Sequence, residues 1–385
     1  MSDQAARLSR SSQPPVAEPA VIPLNDLRRH TDSMRAEIDE SVAAVLTSGR
    51  YVLGPNVSAF ETEFAAYCGV RHCVAVANGT DALELALRAL GCGAGREVIT
   101  IANAGMYATA AIVATGATPV LVDIDPETMT MAPAALARAI GATTTAVIVT
   151  HLYGRLADLN GMMNIIGRYG VPLIEDCAQA HGAERGGRKA GSVVAIGCFS
   201  FYPTKNLGAL GDGGALTTND NQLSEAIRRL RQYGWRGKYD AVQAYGRNSR
   251  LDELQAAVLR LKLPKLDVWN ARRRAIIGRY RQAASIRCMV LDASGADHAA
   301  HLCIVRCANR QALRELLTAR HIATDIHYPI PDHRQEAMRG VFPADVTLPH
   351  TERAAAEVIT LPCFPEMTEA EIVRVCDALA ACKGS

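Results

Sequence analysis

Residues 71–91 read RHCVAVANGTDALELALRALG, and this stretch decides the fold. Its first seven residues form a short β-rich run that ends at the turn Asn78-Gly79-Thr80. After the turn, leucine and alanine recur at helical spacing until Gly91, which is typical of a helix C-terminus. The stretch therefore predicts a strand, a glycine turn and a helix, the repeating unit of an α/β fold.

The same alternation continues along the chain. Short apolar runs predict further strands at residues 97–100, 119–122, 146–150 and 171–174. Such runs are typical of a mostly parallel sheet that is covered by helices. Beyond Asn248 the pattern becomes helical and then mixes short strands with amphipathic helices. We therefore expect a large α/β domain over residues 21–250, a connecting helix over 251–285 and a small C-terminal α+β domain over 286–385.

The overall composition excludes several classes of protein. The chain has 385 residues, and single cores stop growing near ~250–300 residues, so a second domain is expected. Lys and Arg total 41 against 39 Asp and Glu, without a long run of like charge. This argues against a nucleic-acid surface or a membrane anchor, and no apolar stretch reaches the ~18–20 residues that span a bilayer. Residues 1–20, which are polar and rich in proline, predict a disordered N-terminal extension.

The 11 cysteines are scattered singly. No pair of closely spaced cysteines is followed by a second ligand pair, so we expect no metal site and no disulfide framework. Reduced thiols in the cytoplasm fit this pattern best.

Lys205 is the first candidate for chemistry. It lies in FSFYPTKNLGALGDGGA (199–215), between a serine hydroxyl and glycine-rich turns. A single lysine is usually a surface residue, but these apolar and small neighbours predict a desolvated amine. Its lowered pKa would suit bonding to an aldehyde as a Schiff base.

Two acids follow the strand predicted at residues 171–174. Glu175 and Asp176 fall at the carboxyl edge of the sheet, where open α/β sheets bind ligands. One acid at a strand end is often a helix cap or an edge charge. Two acids followed by a lysine on the next βα segment suit a more specific site, in which a carboxylate keeps a pyridine nitrogen protonated.

A third feature predicts an anion site. Gly79-Thr80-Asp81 begins the predicted helix, where free backbone N–H groups and the positive end of the helix dipole attract anions. A plain N-cap by Asn78 or Thr80 is the alternative. The hydroxyl of Ser200 adds a donor near Lys205. An aldehyde, a pyridine nitrogen and a phosphate together describe pyridoxal 5'-phosphate.

With these residues in place, the sequence resembles the DegT/DnrJ/EryC1/StrS family of sugar aminotransferases, which are fold-type I pyridoxal phosphate enzymes. The resemblance covers roughly residues 22–381. Its matching segments are TSGRYVLGPNVSAFETEFAAYCG, NGTDALELAL, GATPVLVDID, HLYG, IEDCAQAHGA, FSFYPTKNLGALGDGGA, GRNSRLDELQAAVL, IHYPIP and LPCFPEMTEAEI. It implies a mostly parallel seven-stranded sheet covered by helices, with a smaller C-terminal domain.

The resemblance also implies a role for each candidate residue. Lys205 would bond the cofactor and move a proton, Asp176 would pair with the pyridinium nitrogen, and Gln179 would lie beside the ring near its hydroxyl. Asn248, in GRNSRLDE, would reach the phosphate of the neighbouring subunit's cofactor, which implies a homodimer with shared active sites. The implied phosphate ligands within one chain are Gly79, Thr80 and Ser200.

One segment departs from the family's pattern. The family usually has an aromatic residue in a P-x-x-T-F/Y segment, and that residue stacks on the cofactor ring. Here the segment reads IANAGMY (101–107). Tyr107 is the predicted stacking residue, Met106 is the alternative if the register shifts by one, and either side chain could instead belong to the core.

The resemblance extends to the acceptor. The segment QYGWRGKY (232–239) is similar to that of members that aminate carbon 3 of dTDP-linked 3-keto sugars. Arg236 and Lys238 suit a diphosphate, with a solvated loop as the alternative. His327 and Tyr328, in IHYPIP, fall where the family approaches the sugar nucleotide, with a buried turn as the alternative.

The predicted function is therefore pyridoxal phosphate-dependent transfer of an amino group from an amino acid, L-glutamate by resemblance, to a nucleotide-linked keto sugar in amino-sugar biosynthesis. The alternatives are a cyclitol ketone or a C4-keto sugar as acceptor, a sugar dehydratase, and a non-catalytic regulatory protein. The dehydratases have histidine in place of Lys205. The intact Lys205, Asp176 and Gln179 argue against a protein without turnover.

Overall fold

The computed structural model describes residues 20–382. The N-terminal extension expected over residues 1–20 lies outside the described residues, apart from Ala20. Every helix in the described range is too short or too polar to cross a bilayer.

The helices and strands of residues 20–382 are numbered here in chain order. The helices α1 to α13 are Leu27–Asp32, Arg35–Ser48, Pro55–Cys68, Gly79–Ala89, Tyr107–Thr115, Pro133–Ala139, Leu159–Ile166, Asn221–Leu230, Glu253–Lys262, Leu266–Ala283, Arg310–Ala319, Pro349–Glu357 and Glu369–Ala380. The strands β1 to β14 are His72–Val76, Glu97–Ile101, Thr118–Val122, Thr144–Thr150, Leu173–Asp176, Glu184–Arg185, Arg188–Lys189, Ile196–Ser200, Gly214–Thr218, Trp235–Gly237, Asp240–Ala241, Met289–Val290, Cys303–Arg306 and Val358–Leu361. A 3-10 turn at Leu263–Lys265, which contains Pro264, joins α9 to α10.

A seven-stranded sheet forms the centre of the large domain. Its strand order is β1-β9-β8-β5-β4-β2-β3. Strand β9 is antiparallel to both of its neighbours, and the other neighbouring pairs are parallel. The predicted α/β class with a mostly parallel seven-stranded sheet is confirmed.

Helices cover both faces of this sheet, as the alternation along β1 illustrates. Val74 and Val76 join an apolar cluster with residues of α4 and α5. Cys73 and Ala75, which point the other way, join a second cluster with residues of α3 and α9. Because successive side chains of a strand face opposite sides, burial on both faces requires a continuous apolar run.

Strands β8 and β9 were not among the strands predicted from the pattern. Their sequences, IGCFS and GALTT, contain small residues in place of a long apolar run. At Gly197 this is required, since a Cβ there would collide with the backbone of Gly191. The close approach of these two backbones explains why a buried strand carries glycine.

The C-terminal part of the chain forms a second core. Strands β12, β13 and β14 make an antiparallel sheet that packs with α10, α11 and α13 around Tyr280 and Phe364. Ile22 belongs to the same cluster, and its backbone pairs with His321 and Ala323 at 2.8 and 2.9 Å. The N-terminal segment therefore packs against the C-terminal part, and the domain limits given above stay a prediction.

Asp332 joins the two parts of the molecule. Its carboxylate accepts hydrogen bonds from the backbone N–H of Met106 at 3.1 Å and the hydroxyl of Thr109 at 2.5 Å, at the N-terminus of α5. Its own backbone N–H donates to the carbonyl of Ala102 at 2.9 Å. Burial raises the pKa of Asp332 to about 6, although the hydrogen bonds from Thr109 and Met106 oppose this shift.

We predict that Asp332→Asn removes a pH-dependent loss of stability. The carboxyl has a pKa of about 6 in the folded chain against an ordinary value of 3.8. Its stabilising contribution is therefore complete below about pH 4 and is lost as the pH rises through about 6. Asparagine stays neutral, so its contribution does not change with pH. As the pH rises through about 6, the free energy of unfolding of wild type should therefore fall relative to that of the variant, by at most about 3 kcal/mol.

Urea unfolding of both proteins at a series of pH values measures this difference. The opposite result, in which wild type becomes more stable relative to the variant as the pH rises, would mean that the ionised carboxylate is the stabilising form. The attraction between this carboxylate and the N-terminus of α5 would then exceed the cost of its burial.

Candidate active site

A cavity of about 890 Å³ lies at the carboxyl ends of the central strands. Thr150, Asp176 and Ser200 end β4, β5 and β8, and Gly79 follows β1. Because parallel strands end at the same edge of a sheet, residues distant in sequence converge there. The C-terminal part of the chain supplies another wall, which includes His301, Leu302, Asp325, Thr360, Leu361 and Cys363.

The cavity brings together most of the residues singled out from the sequence. Those that line it are Gly79, Thr80, Tyr107, Asp176, Gln179, Ser200, Lys205, His327 and Tyr328. Asn248, Arg236 and Lys238 are not among the lining residues of the described chain.

Lys205 lies in the connection between β8 and β9. Its backbone N–H donates to the carbonyl of Tyr202 at 2.8 Å, which closes a tight turn. Burial lowers the pKa of its ammonium group to about 8, although the charge of Asp176 acts in the opposite direction. An amine with this pKa has a substantial neutral fraction near neutral pH, so it can act as a nucleophile and carry a proton.

Asp176 is buried at the end of β5. Its carboxylate accepts hydrogen bonds from the hydroxyl of Thr150 at 3.2 Å and from the backbone N–H of Ala178 at 3.1 Å. Burial raises the pKa of Asp176, and the Ala178 bond, the charge of Lys205 and the Thr150 bond offset only part of the shift. A carboxylate in this setting gains from a cation placed in the cavity.

Glu175 occupies a different environment from its neighbour. It accepts hydrogen bonds from the His151 ring at 2.9 Å and from the backbone N–H groups of Gly191 at 2.9 Å and Val193 at 3.0 Å. Nδ1 of His151 accepts from Ala157, so its Nε2 carries the proton donated to Glu175. Burial alone would raise the pKa of Glu175, but the bonds from His151 and the backbone outweigh it and lower that pKa.

The N-terminus of α4 forms an anion cradle. Asn78 caps the helix by accepting from the N–H of Asp81 at 2.8 Å. A Cβ on Gly79 would lie 2.6 Å from Cβ of Ser200 and 3.2 Å from its hydroxyl oxygen. Glycine therefore allows the Ser200 hydroxyl to lie beside the first turn of the helix, where the backbone N–H groups are free to bind an anion.

Gln179 holds two aromatic residues at the cavity wall. Its amide oxygen accepts from the backbone N–H of Tyr153 at 2.6 Å, and its amide nitrogen donates to the hydroxyl of Tyr328 at 3.1 Å. The Tyr153 hydroxyl donates to the carbonyl of His327 at 2.6 Å. A Cβ on Gly105 would lie 2.8 Å from the Tyr328 ring, so this glycine leaves room for the aromatic side chain.

Tyr107 and Met106 differ in their placement. Tyr107 lines the cavity at the start of α5 and lies edge-on to Tyr328, with ring centroids 6.3 Å apart. Met106 caps that helix with a left-handed φ of 71° and donates its backbone N–H to Asp332. The geometry favours Tyr107 as the residue that reaches a ligand, and stacking stays a prediction.

Arg236, Lys238 and Asn248 are exposed on or near the β10-β11 hairpin. Arg236 pairs with Asp240 at 2.8 Å, and Nζ of Lys238 lies 5.0 Å from the centroid of the Tyr239 ring. All three side chains are exposed and lie outside the described lining of the chain's own cavity, so they are available to a second molecule.

The sequence reasoning missed several cavity residues. Thr150 ends a predicted strand, so its place at the carboxyl edge was a usable signal. Arg273, on α10, donates to the carbonyl of Cys363. His301 pairs with Asn206 at 2.8 Å, and burial lowers the pKa of its imidazole far below the ordinary value, so the ring is neutral. Nothing in the local sequence around these two residues pointed to the cavity.

The cavity has the groups that pyridoxal phosphate requires. A buried acid, an amine with a lowered pKa and a glycine-lined helix N-terminus lie on different parts of its wall. They match the ring nitrogen, the aldehyde and the phosphate of that cofactor. The space beside Ser200 that a Cβ on Gly79 would fill is consistent with this fit.

Known proteins are similar over nearly the whole chain. The model of the DegT/DnrJ/EryC1/StrS aminotransferase family matches residues 32–380. A dTDP-3-amino-3,4,6-trideoxy-alpha-D-glucose transaminase from Streptomyces venezuelae is 44% identical over 366 residues, which cover 94% of this chain and 96% of the relative. The erythromycin biosynthesis sensory transduction protein EryC1 of Saccharopolyspora erythraea is also 44% identical, over 90% of this chain and 95% of its own length.

A solved structure shares the fold. It is the crystal structure of S. venezuelae DesV in complex with a ketimine intermediate, with a TM-score of 0.91 and 43% sequence identity. The match covers 94% of this chain and 98% of DesV.

We predict that Gly79→Ala weakens cofactor binding. The added Cβ must displace Ser200 from the helix N-terminus, and overpacking of this kind costs about 1–3 kcal/mol, which corresponds to roughly a 5- to 150-fold weaker affinity. Titration of the apoprotein with pyridoxal phosphate, followed by absorbance, measures the dissociation constant. Gly278→Ala is the matched control, since a Cβ on this α10 glycine meets no atom within 4 Å. Unchanged affinity in Gly79→Ala would place the phosphate elsewhere.

Proposed function

Because the chain belongs to the DegT/DnrJ/EryC1/StrS aminotransferase family, we propose that it uses pyridoxal phosphate to transfer an amino group from L-glutamate to carbon 3 of a dTDP-linked keto-deoxyhexose. One observation carries this proposal. Lys205 and Asp176 lie in one cavity with the anion cradle of α4, and each alters the pKa of the other.

Asp176 binds and orients the cofactor ring. Its carboxylate is held by Thr150 and Ala178, and burial makes an unpaired negative charge costly there. A protonated ring nitrogen would supply the missing counter-charge, and Asp176 would hold the proton at that nitrogen. When bound, pyridoxal phosphate supplies an electron sink that stabilises negative charge on the donor's α-carbon.

Lys205 is the residue that would bond the cofactor's aldehyde and then move a proton. With a pKa of about 8, its amine can attack a carbonyl carbon, and once released it can accept the proton that leaves the donor's α-carbon. A second lysine, Lys262, also has a pKa lowered to about 8, but its ammonium group donates to the carbonyl of Gly208. Its absence from the cavity lining of the described chain leaves Lys205 as the candidate.

The anion cradle would hold the phosphate of the cofactor and so position the cofactor relative to Lys205. Gly79, Thr80 and Ser200 supply the first helical turn and a hydroxyl. Gln179, held between Tyr153 and Tyr328, is placed to contact the ring from the side. Tyr107 supplies the aromatic surface expected to stack on it.

The acceptor is proposed from the relatives and from the charges around the cavity. The S. venezuelae relative is named for a dTDP-linked sugar that carries its amino group on carbon 3. Lys205 and Arg273 are the cations among the described lining residues, and Arg273 is engaged with Cys363. The diphosphate therefore needs cations from outside this wall, for which Arg236 and Lys238 are candidates.

Two chains are proposed to build each site. Asn248 and the hairpin cations do not line the described part of their own chain's cavity, and the same hairpin region exposes Tyr239 and Tyr245 by 78% and 76%. Large exposed aromatic side chains are typical of surfaces that another chain covers. A homodimer in which Asn248 reaches the neighbour's phosphate accounts for both facts. The cytoplasm stays the proposed location.

A purely regulatory role is the rival that the comparisons raise. EryC1 carries the name of a sensory transduction protein at 44% identity. A lysine with a lowered pKa beside a buried acid is typical of a catalytic site, which favours turnover over a purely regulatory role. Lys205 also argues against the dehydratase alternative, which requires histidine at that position.

We predict that the wild type forms 2-oxoglutarate from glutamate continuously only when a suitable keto sugar takes up the amino group; without an acceptor, formation should stop after a single equivalent per site. The test panel contains dTDP-linked 3-keto and 4-keto sugars, a UDP-linked 3-keto sugar and a cyclitol ketone, and the dTDP-linked 3-keto-deoxyhexose should give the highest kcat/KM. Lys205→Ala should lower turnover by at least about 100-fold while the fold is kept. Lys265→Ala, at an exposed pair with Glu37, is the control.

A higher kcat/KM with another acceptor would replace the proposed substrate. No glutamate-dependent product with any acceptor, in a protein that binds the cofactor, would favour the regulatory role.

We predict that two inactive variants restore activity when they are combined. Each hybrid of Lys205→Ala with Asn248→Asp has one site with both defects and one site with neither. If chains pair at random, half of the dimers are hybrids, so co-expression should give roughly a quarter of wild-type activity. The aspartate places a negative charge beside the phosphate, which costs more than a lost hydrogen bond.

Hybrid formation is verified with two different affinity tags. Proven hybrids without activity would place Asn248 in its own chain's site or outside any site.

A further inference from the structure

Three cysteines meet in the small core of the C-terminal part. The sulfur atoms of Cys288, Cys307 and Cys382 all lie within 4.8 Å of one another. The sulfur of Cys288 is 2.6 Å from that of Cys382 and 3.9 Å from that of Cys307. This cluster, named here the cysteine trio, is separate from the cavity, whose lining contains none of its members.

Backbone and side-chain hydrogen bonds bring Cys288 and Cys382 together. The hydroxyl of Ser285 donates to the carbonyl of Cys382 at 2.9 Å, and its backbone N–H donates to Leu379 at 3.4 Å. The N–H of Cys288 in turn donates to Ser285 at 3.0 Å. The turn after α10 is thus tied to the end of α13, so the two sulfurs meet without any rearrangement of the fold.

The trio is open to small reagents on one side. Cys288 and Cys307 are buried, whereas Cys382 is partly exposed. Burial raises the pKa of the Cys288 thiol far above its ordinary value, and the hydrogen bond to Cys382 adds to the shift. Cys382 is therefore the thiol that meets a reagent from solution first, and Cys288 is the buried partner.

We propose that Cys288 and Cys382 form a reversible disulfide that ties the end of the chain to the start of the small sheet. The oxidant is a low-molecular-weight disulfide such as oxidised glutathione. The Cys382 thiolate attacks one of its sulfurs and releases one glutathione thiol. The Cys288 thiol then gives up its proton, and its sulfur attacks the sulfur of Cys382 and displaces the second glutathione. The two leaving glutathione thiolates take up the protons of the two protein thiols, so two protein thiols are oxidised and one small disulfide is reduced.

A shared metal ion fits the trio less well. Two thiolates bound to one zinc ion at about 2.3 Å each are separated by roughly 3.8 Å in a tetrahedral site. The Cys288–Cys307 separation agrees with this value, but the Cys288–Cys382 separation of 2.6 Å does not. Only these three ligand groups meet at the site in the described part of the chain, where a closed structural zinc site has four.

The bond would stabilise a defined part of the molecule. It closes a loop from residue 288 to residue 382, which contains the three-stranded sheet and the helices α11 to α13. A cross-link across so long a loop restricts the unfolded chain strongly. The cavity residues His327 and Tyr328 lie inside the loop but outside the apolar core that surrounds the trio, so oxidation should change stability more than turnover.

The experiment compares reduced and glutathione-oxidised holoprotein for wild type, Cys382→Ser and Cys376→Ser. Cys376 lies on α13, six residues before Cys382, and packs against the same core but is not part of the trio, which makes it the matched control. In wild type and Cys376→Ser we expect the loss of two hydrogen atoms by intact mass, a cross-linked peptide pair that contains residues 288 and 382, and a thermal midpoint raised by several degrees. Cys382→Ser should show none of these changes.

Several outcomes would overturn the proposal. These are a cross-link between Cys288 and Cys307, a stable mixed disulfide of glutathione on Cys382 without further reaction, or a midpoint that rises equally in Cys382→Ser. Stoichiometric zinc uptake by the reduced protein, lost in Cys382→Ser and in Cys307→Ser, would assign the trio to a metal ion instead. Each readout is independent of transaminase activity, so the proposed function can fail without affecting this result.

Discussion

Burial of an acid and an amine at one edge of the sheet is the constraint on which the rest of the site depends. Parallel strands end at the same edge, so Asp176 on β5 comes close to Thr150 on β4. The antiparallel strand β9 returns the chain beside β8, and the connection between them keeps Lys205 at that edge. Burial raises the pKa of Asp176 and lowers that of Lys205, and each charge limits the shift of the other. A cofactor with a cationic ring and an aldehyde can engage both groups.

The adjacent acids Glu175 and Asp176 have different surroundings and different expected roles. Successive side chains face opposite sides of the sheet, so Glu175 and Asp176 meet different surroundings. Glu175 is fully satisfied by His151 and by backbone N–H groups of the chain beyond β7, which makes it part of the framework. Asp176 has fewer partners and faces the cavity. A shift of one residue along β5 would therefore exchange the two acids and change which of them is free to bind a ligand.

The C-terminal part of the chain completes the cavity through a few specific contacts. Tyr153 and Gln179 hold the segment of His327 and Tyr328 against the large domain, and Asp332 fastens the next turn to the start of α5. The cysteine trio lies in the separate core of this part. The contacts that shape the cavity are thus distinct from those that stabilise the second core. For this reason oxidation of the trio is expected to change stability more than turnover.

The sequence by itself determined the α/β class, because runs such as 71–91 carry the period of a strand followed by that of a helix. It also identified Lys205, Asp176 and Gly79 as candidate site residues, since each lies in a local pattern with a chemical meaning, and all three line one cavity. Only the tertiary structure decided that β9 is antiparallel, because GALTT has no pattern that sets direction. It alone brought His301 and Arg273 to the cavity and Cys382 to Cys288, since these contacts join segments far apart in the chain. It also left Arg236, Lys238 and Asn248 exposed and out of the described lining of their own cavity, because the packing of a hairpin is not set by its local sequence.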